Sequence, residues 1–118
     1  MSWLQRTVFV CGLAALLVGC DAYAGAEAQR EAASVRALAQ PGSSTDSIRA
    51  VLTHRGYTCS DGSGQFLAEG DSVASAPQFV YCNKKVAGTL VCAYRVQVIV
   101  VPRDNSAVIH AHSGSQCL

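Results

Sequence analysis

Cysteine and histidine carry most of the chemistry open to this chain. Six Cys occur in 118 residues. A thiol count that high in so short a chain points to an oxidising compartment. Cys59, Cys82, Cys92 and Cys117 are separated by 22, 9 and 24 residues. Structural zinc sites use close C-x₂₋₄-C pairs, so these spacings argue for two disulfides instead. His110 and His112 fall on one face of a strand, a spacing that can chelate a metal. A third ligand would have to be His54, expected on a helix on the other side. We therefore expect two surface histidines, no metal and no cofactor. Catalytic patterns are missing too. There is no G-x-S-x-G elbow and no recognisable carboxylate pair, and the Gly62-Ser63-Gly64 run lacks a following Lys-Ser/Thr to cradle phosphate. Cys59 beside His54 would make a thiol nucleophile only if unpaired. The expectation is a protein that is not an enzyme, with no small-molecule substrate.

The amino terminus reads as an address. Arg6 is followed by thirteen uncharged residues, Thr7 to Gly19. As a helix they rise about 20 Å, against roughly 30 Å of hydrocarbon, which suits a secretory signal better than a span. Leu17-Val18-Gly19-Cys20 closes the segment and resembles the bacterial lipobox. That resemblance implies cleavage before Cys20, a diacylglyceryl group on its thiol and an acyl chain such as palmitate on its amino group. Residues 1–19 would be a lipoprotein signal peptide, 20–25 a lipid-anchored tether and 26–118 a small periplasmic domain. Ala22-Tyr23-Ala24 is a rival A-x-A site for release after Ala24. The first reading implies a membrane partner through Cys20 and a place in the bacterial envelope, with inner or outer membrane open. Asp21 beside the Cys resembles the inner-membrane retention signal of enteric bacteria.

Composition narrows the rest. Eight acidic residues meet nine Lys+Arg with no basic cluster, which argues against a nucleic-acid module. Half the chain is hydrophobic, which excludes a disordered tail as its main content. A domain this small buries only about 60–65% of its unfolded surface, so two disulfides at roughly 2–4 kcal/mol each matter.

The expected fold class is α+β: two short N-terminal helices packed on one face of a three-stranded antiparallel meander, disulfide-stapled. Ala28, Ala32, Val35 and Leu38 stripe a helix within 26–39, and Pro41-Gly42 ends it. A second helix over 45–55 has Ser43 or Ser44 as cap, Asp46 in its first turn, Ile48, Val51 and Leu52 as its stripe, and Gly56 as its exit. Residues 57–78 read mostly as loop, with a short strand at 65–68. Strands are expected at 79–85, 89–101 and 107–112. Val86-Ala87-Gly88 would make the first hairpin loop and Asp104-Asn105 the second turn.

These turns set Cys92 opposite both Cys82 and Cys117. We favour Cys82–Cys92 with Cys59–Cys117. The alternative is Cys92–Cys117 with Cys59–Cys82. Alternation puts Val80, Cys92, Tyr94, Val96, Val98, Val100, Ile109 and Ala111 under the helices. The other face gathers Phe79, Tyr81, Arg95, Gln97, Ile99, Val101, Val108, His110 and His112. An exposed aromatic and Arg-bearing patch marks a protein contact, so Phe79, Tyr81, Arg95, Gln97 and Ile99 are the candidate partner-binding face. The alternative is that residues 60–78 or the N-terminal segment fold over this face.

Pro41-Gly42-Ser43-Ser44-Thr45-Asp46-Ser47-Ile48-Arg49-Ala50-Val51-Leu52 and the aromatic strand Phe79-Val80-Tyr81, behind a lipobox, resemble the SmpA/OmlA (BamE-like) family of small bacterial lipoproteins. The resemblance implies the helix–helix–meander order and an accessory role in an envelope assembly. The expected function is a membrane-anchored, non-catalytic protein-binding or assembly module with an envelope protein partner. The alternative is a periplasmic inhibitor or immunity-type protein, for which residues 60–78 would be the plugging loop.

Overall fold

The computed structural model describes residues 22–118. The expected signal peptide at 1–19 and the lipidation site Cys20 lie outside the described residues. A helix α1 occupies residues 22–36, so the stretch 22–25 that we assigned to a tether is helical. Its inward stripe is Ala24, Ala28, Ala32 and Val35, all buried. Three of these four are alanines, which lets the helix axis lie close to what it covers.

Helix α2 spans Thr45–His54, as its end signals predict. The Ser44 hydroxyl accepts from the Ser47 N–H at 3.1 Å. At the other end Gly56, at φ 94°, lets the Tyr57 N–H return to the Leu52 carbonyl and its own N–H to Thr53. Those two bonds satisfy the last carbonyls and turn the chain toward the sheet. Ile48 and Leu52 are buried, whereas Val51, expected in the same stripe, is exposed.

The sheet has four antiparallel strands in the order β1 (Thr58–Leu67), β2 (Val73–Gly88), β3 (Cys92–Arg103) and β4 (Ser106–Cys117). The three-stranded expectation is corrected: the Ser/Gly-rich stretch after Tyr57 is a full strand. β1 hides from sequence patterns because Ser60-Asp61-Gly62-Ser63-Gly64 is turn chemistry by composition. Partnership with β2 overrides it.

The β2–β3 connection is also corrected. Val86-Ala87-Gly88 is not the loop; the ladder slips between Lys85 and Ala87 as a bulge and continues to Gly88↔Ala93. Thr89-Leu90-Val91 makes the turn, and the Thr89 hydroxyl accepts from the Cys92 N–H at 3.0 Å. Cys82 therefore faces Val98, not Cys92. As far as Lys85 the displacement is an even number of residues, so the side chains from Phe79 to Lys85 keep their expected faces. The β3–β4 register follows the Asp104-Asn105 turn as expected, with Cys92↔Cys117.

Both disulfides follow from this ladder. Cys59 and Cys82 are bonded across β1–β2, and Cys92 and Cys117 across β3–β4. The favoured pairing Cys82–Cys92 with Cys59–Cys117 is thus overturned in favour of its alternative. The two Cys of each bridge are ladder partners, with Cα atoms 4.1 and 4.0 Å apart.

One main core lies between the helices and the sheet. Leu52, Val35, Val96, Val98, Val100 and Cys82 are its largest fully buried side chains. Tyr57 joins it and donates its hydroxyl to Glu31 at 3.0 Å, linking the start of β1 to α1. Burial, then the Glu31 hydrogen bond and charge, push the Tyr57 hydroxyl well above the ordinary tyrosine range.

The outer edge at β4 carries an unusual arrangement at Ala111. Its N–H donates to Glu69 Oε1 at 3.1 Å, and its carbonyl accepts from Arg36 Nε at 3.1 Å. The N–H has one proton, so this residue turns its polar backbone away from β3.

Candidate protein-binding face

The second face of the sheet is built by alternation. Phe79, Tyr81, Asn83 and Lys85 of β2 lie beside Arg95, Gln97, Ile99 and Val101 of β3, then Val108, His110 and His112 of β4. The structure divides this face in two. Beyond a bulge between Gly62 and Gly64, the β1–β2 hairpin carries Phe66 and Ala76 back over the sheet. Phe66 meets Phe79 edge-on at 5.2 Å and tilts against His110 at 5.4 Å. Ala76, Ile99 and Val101 form a small second core beneath, with Phe66, Phe79 and Tyr81 packed on it.

Two local features permit the fold-over. A Cβ on Gly62 would lie 2.4 Å from the Phe79 ring, so only glycine lets that ring cross β1. Pro77 sits where β2 has not yet begun to pair with β3, and no ladder bond to β3 is lost.

The expectation of an open face is therefore corrected in part. Ile99 is 4% exposed and belongs to a core. Phe79 and Tyr81 are half-buried. Arg95 is exposed and Gln97 half-buried in the uncovered part. The alternative, that residues 60–78 cover the face, holds for the Ile99–Val101 half. The structure offers no free plugging loop at 60–78.

The uncovered strip is polar and ordered by cross-strand pairs. Arg95 donates to Asn83 Oδ1 at 3.0 Å. His112 Nε2 lies 2.9 Å from Gln97 Oε1. Since that oxygen only accepts, the proton is on Nε2, and the buried Nδ1 is left with no hydrogen-bond partner. His110 Nδ1 donates to Glu69 Oε2 at 2.7 Å. The two histidines that could have chelated a metal thus each hold a different side chain. His54 ends α2, away from both. Among the described residues no group of three or more His, Cys, Asp or Glu could hold a metal ion.

Glu69 is the residue that sequence reasoning missed. It stands in a single 3₁₀ turn, Glu69–Asp71, at the hairpin tip, and no pattern pointed to it. Burial raises its carboxyl, but the hydrogen bonds from His110 and the backbone outweigh this and hold it below the usual carboxylate range. A depressed carboxyl stabilises the fold above its unfolded pKa, and that contribution is lost as pH falls through the lower folded value. We expect wild type to exceed a Glu69→Gln variant in unfolding free energy, read from urea titration at pH 7, by about 1 kcal/mol or less, because the pair is part-exposed. The gap should close in acid. A gap that stays constant down to pH 2 would show that the carboxylate is not the latch.

A cleft of about 780 Å³ opens at the other end of the molecule, lined by Thr45, Asp46, Arg49, Asp61, Phe79 and Pro102 among others. Arg49 crosses it to Asp61 at 2.9 Å, so the cation that could receive a ligand is already paired. Comparison with protein-family models, with curated proteins and with solved structures finds no match to this chain.

Proposed function

We propose that the chain is a membrane-anchored envelope lipoprotein of the bacterial cell, lipidated on Cys20, whose domain is a non-catalytic protein-binding module. The observation that carries the reading is the divided sheet face. The hairpin covers its apolar half and leaves a strip of Tyr81, Asn83, Lys85, Arg95, Gln97 and His112. Two cations and no carboxylate stand in that strip, on strands pinned by two disulfides. A rigid, polar, Arg- and Tyr-bearing surface suits a partner with an acidic patch. The cross-linked sheet and the signal-like segment 7–19 both support export. The SmpA/OmlA resemblance fits the same role.

The inhibitor reading would need residues 60–78 as a protruding loop, and they are folded down as a hairpin. Two readouts test the proposal. Mass spectrometry of protein from envelopes should find the mature chain starting at a diacylglyceryl Cys20; an unmodified chain starting at Gly25 would overturn the anchor. A photo-cross-linker at Lys85 should give one discrete protein adduct in intact cells, while one at Val51, exposed on α2, should not. Equal labelling from both positions would remove the strip as the binding face.

A further inference from the structure

The turn end of the sheet carries an apolar tip that is exposed among the described residues. Leu90 is 92% exposed, Val91 52% and Leu118 106%. The three are held together: the Leu118 N–H donates to the Val91 carbonyl at 2.8 Å, and the Cys92–Cys117 bridge lies directly behind. Leu and Val are poor choices for a hairpin turn, where Gly, Asn and Asp dominate. Their presence needs a reason outside local chain geometry.

The direction of α1 supplies one. Tyr94 Cε1 lies 3.5 Å from where a Cβ on Gly25 would be. Arg36, at the other end of the helix, reaches Ala111, the ladder partner of Val98. The helix thus runs alongside β3, with its amino end at the Cys92 end of the sheet. Residue 22 stands about 4.5 Å beyond Gly25 along the axis, in the direction of the tip. Cys20 is two residues further and at most about 7 Å away. An acyl chain on Cys20 would enter the membrane beside Leu90, Val91 and Leu118. Tyr23, 66% exposed, also belongs to this end. Lys85 and Arg95 face each other across the ladder three residues behind Cys92, about 10 Å back. That is just beyond a headgroup layer of roughly 5–8 Å when the tip touches hydrocarbon. Apolar residues at the point, with Tyr and basic side chains behind them, match the order of a membrane interface.

We infer that Leu90, Val91 and Leu118 form a membrane-contacting tip that inserts into a phospholipid bilayer and holds the domain upright beside its own lipid anchor. The inference rests on the lipoprotein reading. Its consequence is orientation: the sheet stands along the membrane normal, and the polar strip begins just above the headgroups.

The single Trp of the chain is Trp3, upstream of the expected cleavage, so a Leu90→Trp substitution introduces the only Trp of the mature protein. Full-length protein carrying it is exported, purified from membranes and reconstituted in phosphatidylcholine vesicles with plain or brominated acyl chains. A Val73→Trp variant, exposed at the far hairpin, is the control. The mature amino-terminal mass is read in parallel. With lipidated protein, bromine should quench the Leu90→Trp emission about twofold or more and leave the control unchanged. Lipidated protein with no quenching in Leu90→Trp, or equal quenching in both, overturns the tip while leaving the anchor in place. A blue-shifted emission that bromine does not quench places the tip against a second copy or another protein, and overturns it as well. A mature chain without lipid removes the anchor reading, and the tip with it.

Discussion

An Ile99→Glu variant should fail to fold, while Arg95→Glu, four residues earlier on the same face, should keep its melting temperature within a few degrees. Ile99 is 4% exposed beneath the folded-over hairpin, in the small core with Ala76 and Val101. A carboxylate there loses its water and gains no partner. The cost is several kcal/mol for an uncompensated buried charge. Small domains have only about 5–15 kcal/mol in total. Arg95 gives up one hydrogen bond to Asn83 at an exposed position, a loss of about 1 kcal/mol or less. Circular dichroism melts decide the matter. If Ile99→Glu melts like wild type, the hairpin does not cover that half of the sheet, and the face is open as alternation alone suggests.

The second large effect concerns the bridges. Replacing Cys59 and Cys82 together by Ala should cost about 3 kcal/mol through the freed unfolded chain. A further cost of about 1 kcal/mol comes from the space left at Cys82, which is fully buried. Replacing Cys92 and Cys117 frees a loop of similar length, with sequence separations of 25 against 23, so the chain-entropy cost is nearly the same. Cys117 is exposed, and no comparable cavity follows. The Cys59/Cys82 variant should therefore melt lower than the other, by roughly 4–8 °C for each extra kcal/mol. Equal melting temperatures would show that burial of Cys82 contributes little. A non-reducing digest offers an independent check, since a Cys82–Cys92 peptide would contradict the register itself.

Much of this fold can be read from sequence where local chemistry and tertiary context agree. Ser44, Asp46 and Gly56 mark both ends of α2 because caps act within one turn. Asp104-Asn105 sets the β3–β4 register for the same reason. The facial assignment of β3 survives a displaced turn because strand alternation depends only on parity. The failures share one cause, which is that long-range contact chose against local preference. β1 is built of Ser, Gly and Asp, and only its pairing with β2 makes it a strand. Val86-Ala87-Gly88 resembles a loop yet stays in the ladder as a bulge, while Leu90 and Val91 take the turn. The favoured disulfide pairing fell with that turn. On the second face of the sheet, the exposed Arg95 and half-buried Gln97 were legible from alternation. The cover over Ile99 was not, because it depends on Gly62 leaving room for the Phe79 ring and on Glu69 reaching His110.

An open four-stranded sheet has two outer strands, and each is a template for a stranger's backbone. At β4 that template is broken in the middle. Arg36 comes from the helical side and Glu69 from the opposite side, and between them they occupy both polar groups of Ala111. An incoming strand could pair on either side of this point but could not run through it. In the proposed anchored form, where copies would be confined to a plane and meet often, such an interruption would keep neighbours from zipping edge to edge into a growing cross-β stack. Protonating Glu69 would weaken one of the two obstacles, so acid should be the condition under which this sheet first recruits its own kind.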